Sequence, residues 1–303
     1  MELYGTGFNA WNQLRFDCAA QGPDEESDDI HSFTCVLRDE LIGRPRSFLS
    51  YTSVETSSGV KTAGAVPSDH DRLGSLNAVV YTDFAEAANE SVVAITDDGI
   101  IHQYASLKDL LDGRQGKMFA GLPAVKQVIA YDTGFAALST TGQVWTWGDE
   151  RYGACLGRDL ADSAADEPGL VSALEDLPTG PITKIAAGGY ALAALTEGND
   201  LYAWGGHAAR RSIVQDLTGD PTPIIVEEDD IVDFDVGESH MIALTVSGDV
   251  FVIGENGNGQ LGLDCKTADS WMKVDLDISS RRKIVGVAAG LRTSFILIQQ
   301  QHS

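Results

Sequence analysis

ESHMIALTVSGDVFVIGENGNGQLGLD, residues 238–264, holds two short apolar runs, MIALT and VFVIG, joined by the turn VSGD. Two such runs around a glycine-bearing turn predict a β-hairpin. The runs are nearly continuous in Val, Ile, Leu and Ala rather than alternating with polar residues. Strands covered on both faces read this way. Sheets stacked face against face, as blades are in a propeller, would cover them so.

The same phrase recurs. TGFAALSTTGQVWTWGDERYGACLGRD (133–159) and YALAALTEGNDLYAWGG (190–206) are clear copies. SYTSVETSSGVKTAGA (50–65) and ESVVAITDDGIIHQYA (90–105) are degenerate ones. The chain opens on ELYGTGFNAWNQLRFD (2–17), which matches only the second half, and closes on KIVGVAAGLRTSFILI (283–298), which matches only the first. Together the two halves make a sixth copy, as expected of a closed ring cut inside one unit. The turn glycines 59, 99, 142, 198 and 248 are 40, 43, 56 and 50 residues apart, a blade-sized period. The expectation is an all-β, closed β-propeller of four-stranded blades, with six clear repeats, room for a seventh, and N-terminal strands completing the last blade. One domain spanning 1–303 is expected, with possible short helices only in the connections 106–121 and 160–177.

Composition narrows function. A net charge of −24 disfavours direct binding to nucleic acid or to an anionic membrane surface, and suits a basic protein partner or simple solubility. No apolar stretch reaches membrane-spanning length, and MELYGTGFNAW lacks the features of a signal peptide. A cytoplasmic or nuclear location is expected. Cysteines 18, 35, 155 and 265 form no CxxC pair and have no histidine cluster beside them, so neither a metal site nor a cofactor is expected.

The filled pattern of Gly237, His240, Leu244, Gly248, Val250, Phe251, Gly254, Asn256, Gly259, Gln260, Leu261 and Gly262 resembles the repeat of the regulator of chromosome condensation family. That resemblance implies a propeller, usually of seven blades, whose N-terminal strands clasp the last blade. The usual repeat histidine is missing from most copies; Ala191 and Thr293 stand in its place in two. LYGTGFNAWNQL and TSFILI also resemble two stand-alone kinds of small member. One pairs with an oxygenase-type protein in animals, the other with a small zinc/iron electron-carrier protein in fungi, and the match does not choose between them.

The glycines of 254–262 have neither the lysine nor the following helix of a phosphate loop. Asp69-His70-Asp71 has no nucleophile motif beside it. Trp145, Trp147 and Trp204 fall within second runs and are expected to pack between blades. The candidate partner-binding residues lie in the connections: Trp11 and Trp271 in loop-like contexts, the Arg210-Arg211 pair, and the acidic run Glu227, Glu228, Asp229 and Asp230. The expected function is a non-enzymatic interaction scaffold or regulatory subunit, a monomer or one half of a heterodimer. The alternatives are a nucleotide-exchange factor for a small GTPase and, behind it, a propeller lyase or hydrolase.

Overall fold

The computed structural model describes residues 1–16, 28–75, 81–119, 121–276 and 281–300. The chain packs as two compact units: residues 1–66, 213–215 and 226–303 form unit 1, and residues 67–212 and 216–225 form unit 2.

Unit 1 begins with β1 (Glu2–Gly7) and β2 (Ile30–Arg38), followed by β3 (Arg46–Ser47), β4 (Tyr51–Thr56) and β5 (Gly59–Gly64). Unit 2 opens on helix α1 (Ser68–Ser75) and continues with β6 (Asp83–Glu86), β7 (Val92–Ile95) and β8 (Ile101–Tyr104). Helix α2 (Leu107–Leu111) and β9 (Lys117–Met118) follow. Next come β10 (Val125–Tyr131), β11 (Gly134–Ser139), β12 (Val144–Gly148) and β13 (Gly169–Leu170). The unit ends with β14 (Ile182–Gly188), β15 (Ala191–Thr196), β16 (Leu201–Gly205) and β17 (Thr222–Ile224). The chain then returns to unit 1 with β18 (Ile231–Val236), β19 (His240–Thr245), β20 (Val250–Glu255), β21 (Thr267–Lys273), β22 (Arg282–Ala289) and β23 (Thr293–Gln300).

Among the described residues these strands make six sheets. Unit 2 holds β6–β9, β10–β13 and β14–β17, each a four-stranded meander in chain order. Unit 1 holds β18–β21, the three-stranded β3–β4–β5, and a sheet ordered β2-β1-β23-β22. In this last sheet the first strand of the chain lies antiparallel against the last, Leu3 opposite Leu297 and Gly5 opposite Phe295. The two half-phrases therefore form one blade, as the repeat predicts.

Every expected hairpin is present. β11, β15 and β19 are buried at all six positions, the two-sided covering that their unbroken apolar runs foretell. The β19–β20 turn needs a left-handed residue, and Gly248 supplies it at φ 87°. In the β15–β16 turn the left-handed residue is Asn199, at φ 72°, a conformation asparagine tolerates. The sheets pack on apolar clusters of their own unit, such as Ile242, Val252, Leu261, Val287 and Ile296 in unit 1 and Leu138, Ile185, Leu192 and Trp204 in unit 2. The five residues of α2 answer the helical turn expected in 106–121, whereas α1 lies outside both connections expected to hold a helix. Residues 17–27, Cys18 among them, fall outside the described residues.

Candidate protein-binding site

At the end of the unit 2 blades where β12 and β16 stop and β15 starts, three rings meet. Asp149 follows β12, and its carboxylate accepts the backbone N–H of Arg151 at 3.0 Å, starting a 3-10 turn over Glu150–Leu156 that brings out Tyr152. Tyr190 occupies the turn between β14 and β15, and His207 follows β16. Tyr152 and Tyr190 have ring centroids 5.0 Å apart, Tyr190 and His207 4.6 Å, and Tyr152 and His207 5.4 Å. All three rings are half-buried. The Ala209 N–H donates to His207 Nδ1 at 3.1 Å.

Two arginines flank the rings. Arg151 lies 5.7 Å from the Tyr152 ring centre and donates from Nε to both oxygens of Asp149 at 3.0 Å. These bonds hold the Asp149 carboxyl below the usual carboxylate range. Arg210 lies 5.1 Å from the Tyr190 ring centre, with Asp132 at 3.6 Å. Burial, aided by a hydrogen bond with Tyr152, raises the Tyr190 phenol. Under the cluster, the buried Cys155 thiol donates to the Tyr190 carbonyl at 3.4 Å, and burial lifts it to about 11. It is therefore protonated at neutral pH and a poor nucleophile. The arrangement offers flat aromatic faces and guanidinium edges, the residue types that dominate binding hot spots.

The loops that end the strands are built to a repeated plan. In unit 1, the Asn256 side-chain oxygen accepts the Leu261 N–H at 2.8 Å, and Asn9 accepts that of Leu14 at 3.0 Å. Gln260 accepts the Asn258 N–H at 2.9 Å, and Gln13 that of Trp11 at 3.0 Å. Trp11 thus sits four residues past the strand-ending Gly7, where Asn258 sits past Gly254 and Tyr152 past Gly148. It is 51% exposed.

The other residues singled out from the sequence are dispersed. Arg210 joins the ring cluster, and its exposed neighbour Arg211 follows it in the same loop. Trp271 is not in a loop: it stands in β21, the outer strand of its sheet, half-buried, because the connection after β20 folds back to pair with it. Glu227, Glu228, Asp229 and Asp230 precede β18, at the opposite end of that sheet from Glu255. There Asp229 accepts the Ser247 N–H at 3.1 Å, and hydrogen bonds from Ser247 lower its carboxyl below the ordinary range. Trp147 and Trp204 are wholly buried, donating to Gln103 at 2.9 Å and to the Cys155 carbonyl at 3.1 Å. Trp145 is only half-buried. His70 bonds Glu86 at 2.9 Å. Among the described residues no three His, Cys, Asp or Glu side chains group closely enough to hold a metal ion, and no helix is long and apolar enough to cross a membrane.

Comparison with known proteins agrees with the repeat. The Regulator of chromosome condensation (RCC1) repeat matches residues 141–195 and 247–297, and a second profile of that repeat matches 231–260. The regulator of chromosome condensation of Drosophila melanogaster is 29% identical over 56% of this chain and 31% of its own length. The probable E3 ubiquitin-protein ligase HERC3 of Homo sapiens is 33% identical over 42% of this chain and 12% of its own. The chain therefore spans well under half the length of these curated relatives. Among solved structures, Prp20p of Saccharomyces cerevisiae, described with its binding properties to Gsp1p and histones, superimposes with a TM-score of 0.73 at 13% identity, over 100% of this chain and 92% of that one. Human WBSCR16 gives 0.69 at 16%, over 100% and 99%. At such identities the likeness shows the fold alone.

Proposed function

With a chain that carries regulator of chromosome condensation repeats as the premise, we propose a non-enzymatic interaction module that holds a protein partner on loops at the strand ends. The observation that carries this reading is the cluster of Tyr152, Tyr190 and His207 with Arg151 and Arg210 against its ring faces. Mutual ring contacts hold these side chains in place, so little side-chain entropy is lost on binding. The net charge of −24 favours a partner with a basic surface. The partner kinds implied by the small family members, an oxygenase-type protein or a small electron carrier, belong to the same proposal, as do a nuclear or cytoplasmic location and one domain over 1–303.

The test is affinity capture from cell extract with the natural chain and with Tyr190→Ala combined with Arg210→Ala. Partners captured by the first and lost by the second are expected. An unchanged set of partners removes the cluster from the interface. A parallel capture with Glu227, Glu228, Asp229 and Asp230 all changed to lysine tests that acidic run in the same way.

A second reading is exchange-factor activity on a small GTPase. Its support is the likeness in fold to Prp20p, whose binding to Gsp1p is on record. Release of labelled guanosine diphosphate from a Gsp1p-type GTPase, faster with the purified chain than without, would favour it over the scaffold reading.

A further inference from the structure

Unit 2 has a second feature of binding character, separate from the ring cluster. Between the outer edges of the sheets β6–β9 and β10–β13 lies a groove of about 610 Å³, within the roughly 300–1,000 Å³ typical of ligand pockets. Its apolar lining is Met118, Phe119, Leu122, Trp145, Pro168 and Leu170. Met118 is 54% exposed, and the half-buried Trp145 and Leu170 face each other across the β12–β13 ladder. The strands at its edges, β9 and β13, are two residues long, so the outer part of each sheet stops early and leaves this apolar lining, apart from the buried Phe119, partly uncovered.

The polar rim has a definite sign. Asp159, Asp162 and Glu167 line it and are exposed. Of the cations nearby, Lys117 pairs with Glu167 at 2.6 Å. Arg158 has five N–H donors, and it makes five hydrogen bonds to backbone carbonyls. They go to Thr146 at 3.2 Å, Asp159 at 3.4 Å, Ser163 at 2.7 Å, Ala164 at 2.9 Å and Glu167 at 2.9 Å. That guanidinium is spent on shaping the loop and offers an incoming anion no donor. With Glu167 paired to Lys117, Asp159 and Asp162 outnumber the single Arg158 charge and leave the rim net negative.

We propose that this groove binds a short extended segment of a protein partner in which a large apolar side chain stands beside lysine or arginine. The apolar side chain lies against Trp145 and Met118, and the cation meets Asp159 and Asp162. The choice of a basic over an acidic segment rests on charge complementarity: the carboxylates face outward and the arginine faces the loop. The site shares no residue with the ring cluster, so it stands or falls independently of the reading above.

A library of random nine-residue peptides displayed on phage, panned on the immobilised full chain, tests the proposal. Enriched peptides are then measured by fluorescence anisotropy against Met118→Glu and Asp162→Lys, both exposed positions whose change leaves the core intact. Glu197→Lys, in the β15–β16 turn, matches the second in charge change and lies outside the groove. Expected are peptides combining Lys or Arg with Leu, Phe or Trp, whose affinity falls about tenfold or more, about 1.4 kcal/mol, in each groove variant and holds in Glu197→Lys. No enrichment, enrichment of acidic peptides, or binding insensitive to both groove substitutions overturns it.

Discussion

His240 is wholly enclosed, and its Nε2–H donates to the Thr293 carbonyl at 3.2 Å. Its other ring nitrogen is buried without a partner among the described residues, so a second proton would find no acceptor. Burial accordingly lowers the imidazole from 6.5 to about 4. Between those values the unfolded chain binds a proton that the folded chain does not, so stability rises with pH through this window. It is complete above pH 6.5 and falls toward pH 4 by at most about 1.4 kcal/mol per pH unit. His240→Gln keeps an N–H for the carbonyl and removes the titration. Melting temperatures from pH 4.5 to 7 should therefore fall less steeply on the acid side in the variant than in the natural chain. The 133–159 copy fills the same slot without a histidine. Gly237, opposite His240, has no room for a Cβ, which would overlap the imidazole; in the 133–159 copy the pair is reversed, with the Tyr131 phenol lying over Gly134. These two copies fill one space from opposite strands. Gly237→Ala should cost about 1–3 kcal/mol by overpacking, and Gly237→Ala with His240→Ala should recover only the part due to the imidazole, because the added Cβ also meets the Gly290 carbonyl at 2.7 Å; denaturant titration of the cycle measures that coupling.

At the scale of the strand, the first strand of each four-stranded meander is an edge whose N–H and C=O groups need partners. At two of these edges, side chains from a neighbouring first strand supply them. Gln127 on β10 both donates to the Ile185 carbonyl at 2.8 Å and accepts its N–H at 3.2 Å, tying β10 to β14. In unit 1, Asp233 and Asp235 on β18 accept the N–H groups of Val287 and Ala289 at 2.9 and 3.0 Å, tying β18 to β22. Arg44 then joins both strands, bonding the two carboxylates and the carbonyls of Phe234 and Val287. Its side chain is 40% exposed, so solvent screens the ion pairs. Arg44→Ala and Gln127→Ala should each cost about 1–2 kcal/mol, read as a lower denaturant midpoint at unchanged slope. These ties were not legible in the sequence, because each joins residues about 54 or more apart whose types are unremarkable. The hairpins were legible: five turns and two apolar runs per copy follow from local periodicity. The outer strands were not, since β9, β13 and β17 are two or three residues long and pair only because the sheet edge is already there. The ring cluster lies between these cases. Tyr152 occupies the loop slot of Trp11 and could have been found by aligning the copies, whereas Tyr190 and His207 become its neighbours only through strand pairing.

For the molecule as a whole, the decisive element is the first strand. β1 is central in its sheet, with β2 on one side and β23 on the other. Leu3 and Leu14 are fully buried, against Leu37, Val54, Phe295 and Leu297. Glu2, itself buried, pairs with Arg38 of β2 at 3.0 Å and Arg282 of β22 at 3.1 Å, so one carboxylate engages both flanks of the blade. Deleting residues 1–15 removes both leucines, at about 1.5–3 kcal/mol each, and leaves β2 and β23 without the ladder between them. A loss of that size is a large fraction of the roughly 5–15 kcal/mol by which a domain is stable. The truncated chain should therefore melt well below the intact one by circular dichroism, and Glu2→Gln should fall between them. Limited proteolysis extends the test to the proposal of one domain. If residues 1–303 unfold as a unit, deletion exposes sites in residues 67–212 as fast as in residues 226–303; survival of a protected 67–212 fragment would show that the units unfold separately. An unchanged melting temperature on truncation would mean that the pairing of the two chain ends, for all its buried contacts, does not govern stability.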